Sequence, residues 1–239
     1  MTLKNLRQSF LCILFWFHQL AFGSICEDDN RKQASISGVG YSVSSKHLEQ
    51  YGLCTVTLFS QNCGISAGHC LHNLEMAVFQ GSGTIEENTY SIDKNSIRAL
   101  SSRIGNNWAV FRMNKNAITG LSAGNRYGYF ELETNPLAAV PETLWTVAEN
   151  GSRDLDNFPG PGQLWSEGKT LWISDSAIYH KVDTGSGSGG AVLFDPETSK
   201  GYAIHTHGGC DIMGNNKGTI IGKVPFLIKA IQECKALDQ

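Results

Sequence analysis

Short apolar runs recur along the chain and are separated by glycine, proline and asparagine. The runs are rich in β-branched and aromatic residues, which favour strands over helices. The clearest are Cys54–Phe59, Met76–Phe79, Trp108–Phe111, Leu144–Val147, Ala191–Phe194 and Thr219–Val224. This pattern predicts an all-β sandwich or barrel rather than alternating strands and helices.

The last apolar segment has the periodicity of a helix instead. Leu227, Ile231 and Cys234 recur at the spacing that places side chains on one helical face, and Pro225 stands where a helix can begin. We therefore predict a terminal helix over residues 225–236.

Two segments interrupt the strand pattern. Composition predicts a surface loop at Asp154–Gly162, and the stretch from Gly120 to Glu133 is interpreted as the connection between two halves. The chain shows no repeat at a fixed period.

The N-terminus has the layout of a secretory signal peptide. Lys4 and Arg7 precede the apolar run Phe10–Phe17, and small residues follow up to Gly23. The run is shorter than the roughly 20 residues that span a bilayer, which disfavours a membrane anchor. We predict a signal peptide over residues 1–23 and a secreted protein.

The distribution of charge limits the possible partners. The formal net charge is −3, with no block of basic residues, so a nucleic-acid partner is disfavoured. No later apolar run is long enough to span a membrane. We expect a monomer that acts on a soluble protein or peptide.

Seven cysteines are present, and Cys12 would leave with the signal peptide. An even number in an exported chain predicts disulfides rather than metal ligands or reactive thiols. The remaining six are Cys26, Cys54, Cys63, Cys70, Cys210 and Cys234.

The segment Ile65–Cys70 contains a candidate general base, His69. A catalytic histidine must be held rigidly at the end of a strand, beside small residues that let another part of the protein and a substrate approach. Ser66, Ala67 and Gly68 supply those small residues.

A candidate nucleophile, Ser188, lies in the glycine-rich segment Asp183–Phe194. Glycine allows a tight loop whose backbone N–H groups converge on a developing oxyanion. A flexible linker is disfavoured because the segment runs directly into an apolar strand. Ser186 is an alternative nucleophile.

Together these motifs resemble the trypsin-like serine proteases, and are most similar to the glutamyl endopeptidase branch. The likeness rests on His69 followed by Cys70, on Ser188 followed by Gly189 and Gly190, and on Ala203–Gly209 after them. The segments Gly162–Lys169 and Tyr179–Thr184 add to it.

The resemblance implies a trypsin-like fold of two six-stranded antiparallel β-barrels with a C-terminal helix, within one peptidase domain over residues 24–239. The barrels would cover about 38–125 and about 130–225. It also implies hydrolysis of peptide bonds by acyl transfer, with neither a cofactor nor a metal.

One catalytic position departs from the family pattern. The triad aspartate precedes a short apolar strand, and the matching residue is Asn107. Asp93 is the nearest acidic alternative, but it follows His69 too closely to leave room for the intervening strands. With Asn107 in the triad, we expect slow hydrolysis that improves at alkaline pH.

The resemblance also implies an oxyanion hole and a substrate pocket. The backbone N–H groups of Ser186 and Ser188 would form the hole, although the family has glycine at position 186 and one more residue in this loop. His205 would meet a substrate glutamate or aspartate, with Thr184 and Thr206 beside it. Asp183 is counter-evidence, because its carboxylate in that pocket would attract lysine or arginine.

The family pairs the cysteines that match Cys54 and Cys70, so a disulfide is predicted there. The other four, Cys26, Cys63, Cys210 and Cys234, allow three pairings. A zinc site including His205, His207 and Cys210 is disfavoured because the cysteine spacing does not fit.

Two other functions remain open. A protease-like binding module would explain Asn107 and Ser186, and a carbohydrate-binding sandwich would explain the strands but not the motifs around His69 and Ser188. The pair Arg31 and Lys32 could mark the removal of a propeptide.

Overall fold

The structure is a computed structural model that describes residues 24–44, 54–150 and 162–238, without the side chains of Asp211 and Ile212. The predicted signal peptide and the predicted loop up to residue 161 lie outside the described residues. Within the described part, no helix has the length and apolar character needed to cross a bilayer.

The first half of the chain forms a closed antiparallel barrel of six strands, in the order β2-β3-β4-β7-β6-β5. Its strands are β2 (Val39–Val43), β3 (Cys54–Leu58), β4 (Cys63–Ser66), β5 (Met76–Phe79), β6 (Thr89–Ser101) and β7 (Asn107–Met113). The short strand β1 (Lys32–Ala34) precedes them but pairs with the second half of the chain. Closure leaves no unpaired barrel edge.

The second half forms a ring of six antiparallel strands, β9-β10-β13-β12-β11-β8, which closes where β8 pairs with β9. Its strands are β8 (Thr143–Glu149), β9 (Gln163–Ser174), β10 (Ala177–His180), β11 (Val192–Phe194), β12 (Gly201–His207) and β13 (Asn216–Ile220). The predicted fold of two six-stranded barrels is therefore confirmed.

The helices are short except for the last one. α1 (Ala123–Tyr127) lies within the predicted connection, α2 (Cys210–Met213) follows β12, and α3 (Pro225–Ala236) is the predicted terminal helix. The strand predicted over Thr219–Val224 was too long, because the backbone turns into a 3₁₀ helix at Ile221–Lys223. Leu227, Ile231 and Cys234 of α3 are buried against the core as their spacing predicts.

Three disulfides join distant parts of the chain. They link Cys54 to Cys70, Cys26 to Cys210 and Cys63 to Cys234. The first holds β3 beside the turn that carries His69, and the third attaches the terminal helix to the first barrel. The second attaches the N-terminal segment to the second barrel.

Ser24 anchors that N-terminal segment. Its Oγ donates to Asn216 Oδ1 at 2.6 Å and accepts from the backbone N–H groups of Gly209 and Cys210 at 2.9 and 2.8 Å. Its backbone N–H donates to Thr184 Oγ1 at 3.0 Å, and its carbonyl accepts from Asn216 Nδ2 at 2.9 Å. The segment is thus built into the polar base of the second barrel.

We expect Ser24→Ala to lower the free energy of unfolding by about 1–3 kcal/mol, because two partly buried N–H groups and a buried amide oxygen lose their partner. Urea unfolding would measure the change. Ser82→Ala, at an exposed position, is the matched control. Equal stability of the two variants would show that the Ser24 hydroxyl contributes nothing.

Candidate active site

His69 lies where the first barrel faces the second. It is the second residue of a 3₁₀ helix, Gly68–Asn73, that follows β4. At Gly68 a Cβ would lie 2.1 Å from the carbonyl oxygen of Leu100, so only glycine allows the turn to pass so close to β6. The disulfide at Cys70 holds the turn from the other side. The small residues beside His69 therefore allow the close packing that was predicted around a catalytic histidine.

Asn107, the first residue of β7, lies beside His69 and is 3 % exposed. Its Oδ1 accepts the backbone N–H of His69 at 3.0 Å. Its own backbone is fixed by Thr219 of the second barrel, since Thr219 Oγ1 is 3.2 Å from both the N and O atoms of Asn107. The amide oxygen of Asn107 thus fixes the backbone of His69, but the amide carries no negative charge.

The imidazole of His69 is set up as a neutral group. Burial lowers its pKa below the ordinary 6.5, the Asn107 side chain opposes that shift, and His72 adds to it. The Nδ1 atom is buried, and no described residue forms a well-aligned hydrogen bond with it. A carboxylate would accept the Nδ1 proton at this position, and the amide does not.

Asp93 is not an alternative third member. It pairs with Arg112 on β7, whereas Asn107 pairs with Ser101. The five residue steps from Asn107 to Arg112 extend about 17 Å along a strand. The Asp93 carboxylate instead accepts the N–H of Asn95.

Ser188 lies in a tight loop that the first barrel holds in place. The hydroxyl of Thr55 on β3 donates a hydrogen bond to the carbonyl oxygen of Gly187 at 2.8 Å. The backbone N–H of Thr55 donates to the carbonyl oxygen of Gly189 at 2.9 Å. At Gly189 a Cβ would lie 2.7 Å from His69 Nε2, so this nitrogen faces the residue directly after Ser188. The two barrels thus bring the predicted base and nucleophile together.

The hydroxyl of Ser188 is not yet bonded to the base. Its Oγ accepts the N–H of Gly185 at 2.9 Å, and no hydrogen bond joins it to His69 within the described residues. Catalytic hydrogen bonds are often formed only in the substrate complex. A change of the Ser188 rotamer would be needed here.

The predicted oxyanion hole is occupied by the protein itself. The backbone N–H of Ser188 donates to the carbonyl of Gly185 at 3.1 Å. This N–H becomes available to an oxyanion only after the peptide between Gly185 and Ser186 turns its carbonyl away. The predicted oxyanion hole is therefore closed in this structure.

The predicted pocket residues Thr184, His205 and Thr206 are all buried, at no more than 2 % exposed. Thr184 uses its hydroxyl for Ser24 and for Asn216 Nδ2, at 3.0 and 3.1 Å. Thr206 lies between the carbonyl of Lys217 and the ring of His207. The Thr184 hydroxyl is therefore engaged by the N-terminal segment.

A second buried histidine, His180 on β10, fixes the tautomer of His205. The N–H of Val182 donates to His180 Nδ1 at 3.2 Å, so the His180 proton is on Nε2. That Nε2 is 3.3 Å from His205 Nδ1, which must accept. His205 therefore carries its proton on Nε2 and offers a neutral N–H donor.

Burial keeps both rings uncharged. It lowers the pKa of His180 to about 3 and that of His205 well below 6.5, where the neighbouring His180, His207 and His69 lower it further. His205 can therefore donate a hydrogen bond from Nε2 while its ring remains uncharged.

The side chain of Asp183 is hydrogen-bonded to the N-terminal segment. Its carboxylate accepts the backbone N–H groups of Cys26 and Asn30 at 2.6 and 2.9 Å. Burial raises its pKa, and these two hydrogen bonds oppose the shift. Both carboxylate oxygens of Asp183 are therefore engaged by the N-terminal segment, although Asp183 also lines a small cavity with Thr184 and Ser188.

Arg31 is not an exposed processing signal in this structure. Its side chain is 6 % exposed and forms an ion pair with Asp29 at 2.8 Å. Its Nη1 packs against Gly185, where a Cβ would lie 2.8 Å away. Arg31 thus packs against the loop that contains Ser188.

Possible metal ligands come together at one place within the described residues, namely Cys54, His69 and Cys70. Both sulfurs belong to a disulfide, so neither can act as a thiolate ligand. Cys210 is also disulfide-bonded.

Sequence reasoning missed Ser24, His180 and Asn216. His180 carried a weak signal, because it stands at the end of a strand-like segment that matches the glutamyl endopeptidase branch. The other two act through contacts between residues far apart in the sequence.

The structure was compared with known proteins. No protein-family profile matches the chain, and neither does any curated protein sequence. Among solved structures, a Glu endopeptidase is similar with a TM-score of 0.70 and 17 % identity, over 89 % of this chain and 99 % of that one.

Two other solved structures give the same result. An inactivated protease paralogue of the scabies mite has a TM-score of 0.60 at 10 % identity, over 92 % of this chain and 97 % of its own. The protease Anisep from Arthrobacter nicotinovorans has 0.60 at 14 %, over 80 % and 93 %. The chain therefore has the chymotrypsin fold, the double β-barrel of the trypsin-like proteases.

Proposed function

We propose that this chain is a secreted serine endopeptidase of low turnover, which hydrolyses peptide bonds by acyl transfer after glutamate or aspartate. The proposal rests mainly on one observation at the junction of the two barrels. There His69 Nε2 faces Gly189, the residue directly after Ser188. Three disulfides support export, because such bonds persist in oxidising compartments.

In the proposed reaction, Ser188 Oγ attacks the carbonyl carbon and its proton passes to His69 Nε2. The same proton then goes to the leaving amine, and water repeats the sequence on the acyl-enzyme. Before this, the Gly185 carbonyl must release the N–H of Ser188, so that this group and the N–H of Ser186 hold the oxyanion. Asn107 orients His69 but provides no negative charge for the imidazolium.

Two features support a preference for acidic residues. Asp183 directs its carboxylate toward the N-terminal segment, and His205 offers a neutral Nε2–H donor at the position that meets the carboxylate in the resembling branch. Similarity to a Glu endopeptidase agrees with this preference.

A protease-like binding module is the second candidate. It is favoured by the hydrogen bond from the Ser188 N–H to the Gly185 carbonyl, which closes the predicted oxyanion hole. Similarity to an inactivated protease paralogue points the same way.

A fluorophosphonate probe distinguishes the two candidates. We expect slow covalent labelling of the wild-type protein and of Ser186→Ala, with loss of labelling in Ser188→Ala, because Ser188 is the proposed nucleophile and directly precedes Gly189, which His69 Nε2 faces. The labelled residue is identified by mass spectrometry of the peptides. If the wild type and an Asn107→Asp variant both stay unlabelled, the binding module is the better description.

A further inference from the structure

A row of four side chains crosses the second barrel and ends beside His69. Trp172 on β9 pairs with Tyr179 on β10, Tyr179 pairs with Lys217 on β13, and Lys217 pairs with His207 on β12. Directly paired residues project from the same face of a sheet. The four side chains therefore form one continuous row, here named the Lys217 row.

The inner end of the Lys217 row meets the candidate base. The rings of His207 and His69 have centroids 6.3 Å apart. At the outer end, Trp172 stacks on Tyr179 with centroids 4.5 Å apart, and Trp172 is 48 % exposed. The Lys217 row thus extends from the candidate base His69 to the stacked rings of Tyr179 and the exposed Trp172.

Lys217 places its ammonium group within this row. The residue is only 6 % exposed, and its Nζ would lie 2.7 Å from a Cβ at Gly209, in the segment that continues β12. Among the side chains that the structure describes, none forms an ion pair or a hydrogen bond with Nζ. An ammonium held in this way has lost solvation without gaining a counter-ion.

The histidines nearby do not carry positive charge at neutral pH. Burial lowers the pKa of His207, the neighbouring His69 and Lys217 add to this shift, and together they bring the pKa to about 4. His205 is a neutral donor for the reasons given above. Burial also lowers the pKa of Lys217 from its ordinary 10.5. A carboxylate beside Nζ would oppose that shift and restore the lost electrostatic stabilisation.

We propose that Lys217 is the specificity-determining residue for an acidic substrate, with its ammonium pairing with a carboxylate on the acyl side of the scissile bond. The Trp172–Tyr179 stack lies beside it as an apolar surface for the neighbouring part of the peptide. This inference rests on the proposed endopeptidase function and adds a charged group to the neutral donor at His205.

The test uses peptides that carry glutamate or glutamine at one acyl-side position at a time. In the wild type we expect glutamate to be preferred in kcat/KM at one position. Lys217→Met should reduce that preference about tenfold, mainly through KM, which is the loss expected for one charge-assisted hydrogen bond. Lys217→Arg should retain most of it. Lys169→Met removes an exposed lysine of β9 as the matched control.

The inference fails if Lys217→Met keeps the wild-type glutamate preference at every position. If no peptide is hydrolysed, the proposed function fails separately, and Lys217 is tested by binding. Ser188→Ala and Ser188→Ala/Lys217→Met are then titrated with the same fluorescent peptides. Selective loss of binding to the glutamate peptide in the double variant supports the role of Lys217, and equal binding overturns it.

Discussion

Replacing Asn107 with aspartate is expected to raise the turnover number by up to about 10⁴-fold. The opposite change, from aspartate to asparagine in a trypsin-family triad, costs about that factor, equivalent to about 5.4 kcal/mol of activation free energy. In this protein Asn107 Oδ1 is engaged by the backbone N–H of His69. A carboxylate could keep that hydrogen bond with one oxygen and accept from the imidazole Nδ1 with the other.

The physical reason is the tautomer of His69. In the wild type no hydrogen-bond acceptor among the described residues holds a proton on Nδ1, so the proton can instead occupy Nε2, the nitrogen that must accept the Ser188 proton. A carboxylate at position 107 places the proton on Nδ1 and stabilises the imidazolium as it forms. Both effects act on the transition state, so we expect kcat to change more than KM.

The pH profile provides a second measurement for the same variant. Burial lowers the pKa of wild-type His69, so the base is already neutral at pH 7. The gain at alkaline pH that the sequence analysis expects from deprotonating His69 therefore does not follow from this structure. A carboxylate at position 107 favours the imidazolium and raises that pKa, so the acidic limb of kcat/KM should move to higher pH in Asn107→Asp.

Asn106→Asp is the matched control, because it adds the same charge one residue earlier on a half-buried side chain. It should leave the rate unchanged. Adding Ser188→Ala to Asn107→Asp should abolish the gain. A folded Asn107→Asp variant that reacts with the fluorophosphonate probe no faster than wild type would show that Asn107 is not the third catalytic member.

The barrel strands were predictable because their signal is local. Apolar runs bounded by turn residues located β3, β5, β7, β8 and β11, and the periodicity of the last segment located α3. The error at Thr219–Val224 has the same origin, since the run stays apolar after the backbone leaves β13 at Ile220. Apolarity reports burial rather than strand conformation.

The candidate site was only partly predictable. The motifs around His69 and Ser188 are contiguous in the sequence, whereas the anchoring of the N-terminal segment depends on pairs such as Ser24 and Thr184, 160 residues apart. The disulfide from Cys26 to Cys210 spans 184 residues. Apolar and polar patterning carries no information about such pairings, so the occupation of the Thr184 hydroxyl by Ser24 emerged only from the structure.

Replacing Ser186 with glycine in the Asn107→Asp background is expected to raise kcat/KM by about tenfold. The closed oxyanion hole opens when the peptide between Gly185 and Ser186 rotates by about half a turn, which changes the φ of residue 186. Within the described residues the positive-φ residues other than glycine are Glu27, Asp175 and Ser199, so φ of Ser186 is negative in the closed loop. Opening the hole would make it positive.

A positive φ costs a residue with a Cβ about 1–2 kcal/mol, whereas glycine adopts it freely. Removing that cost multiplies the population of the open loop about tenfold. Ser186→Ala in the same background is the matched control, because it removes the hydroxyl but keeps the Cβ. Steady-state kinetics on one glutamate peptide would compare the three proteins. Equal rates for the glycine and alanine variants would mean that rotation of the Gly185–Ser186 peptide does not limit the reaction. A gain confined to the glycine variant would show that the closed loop limits catalysis in addition to Asn107.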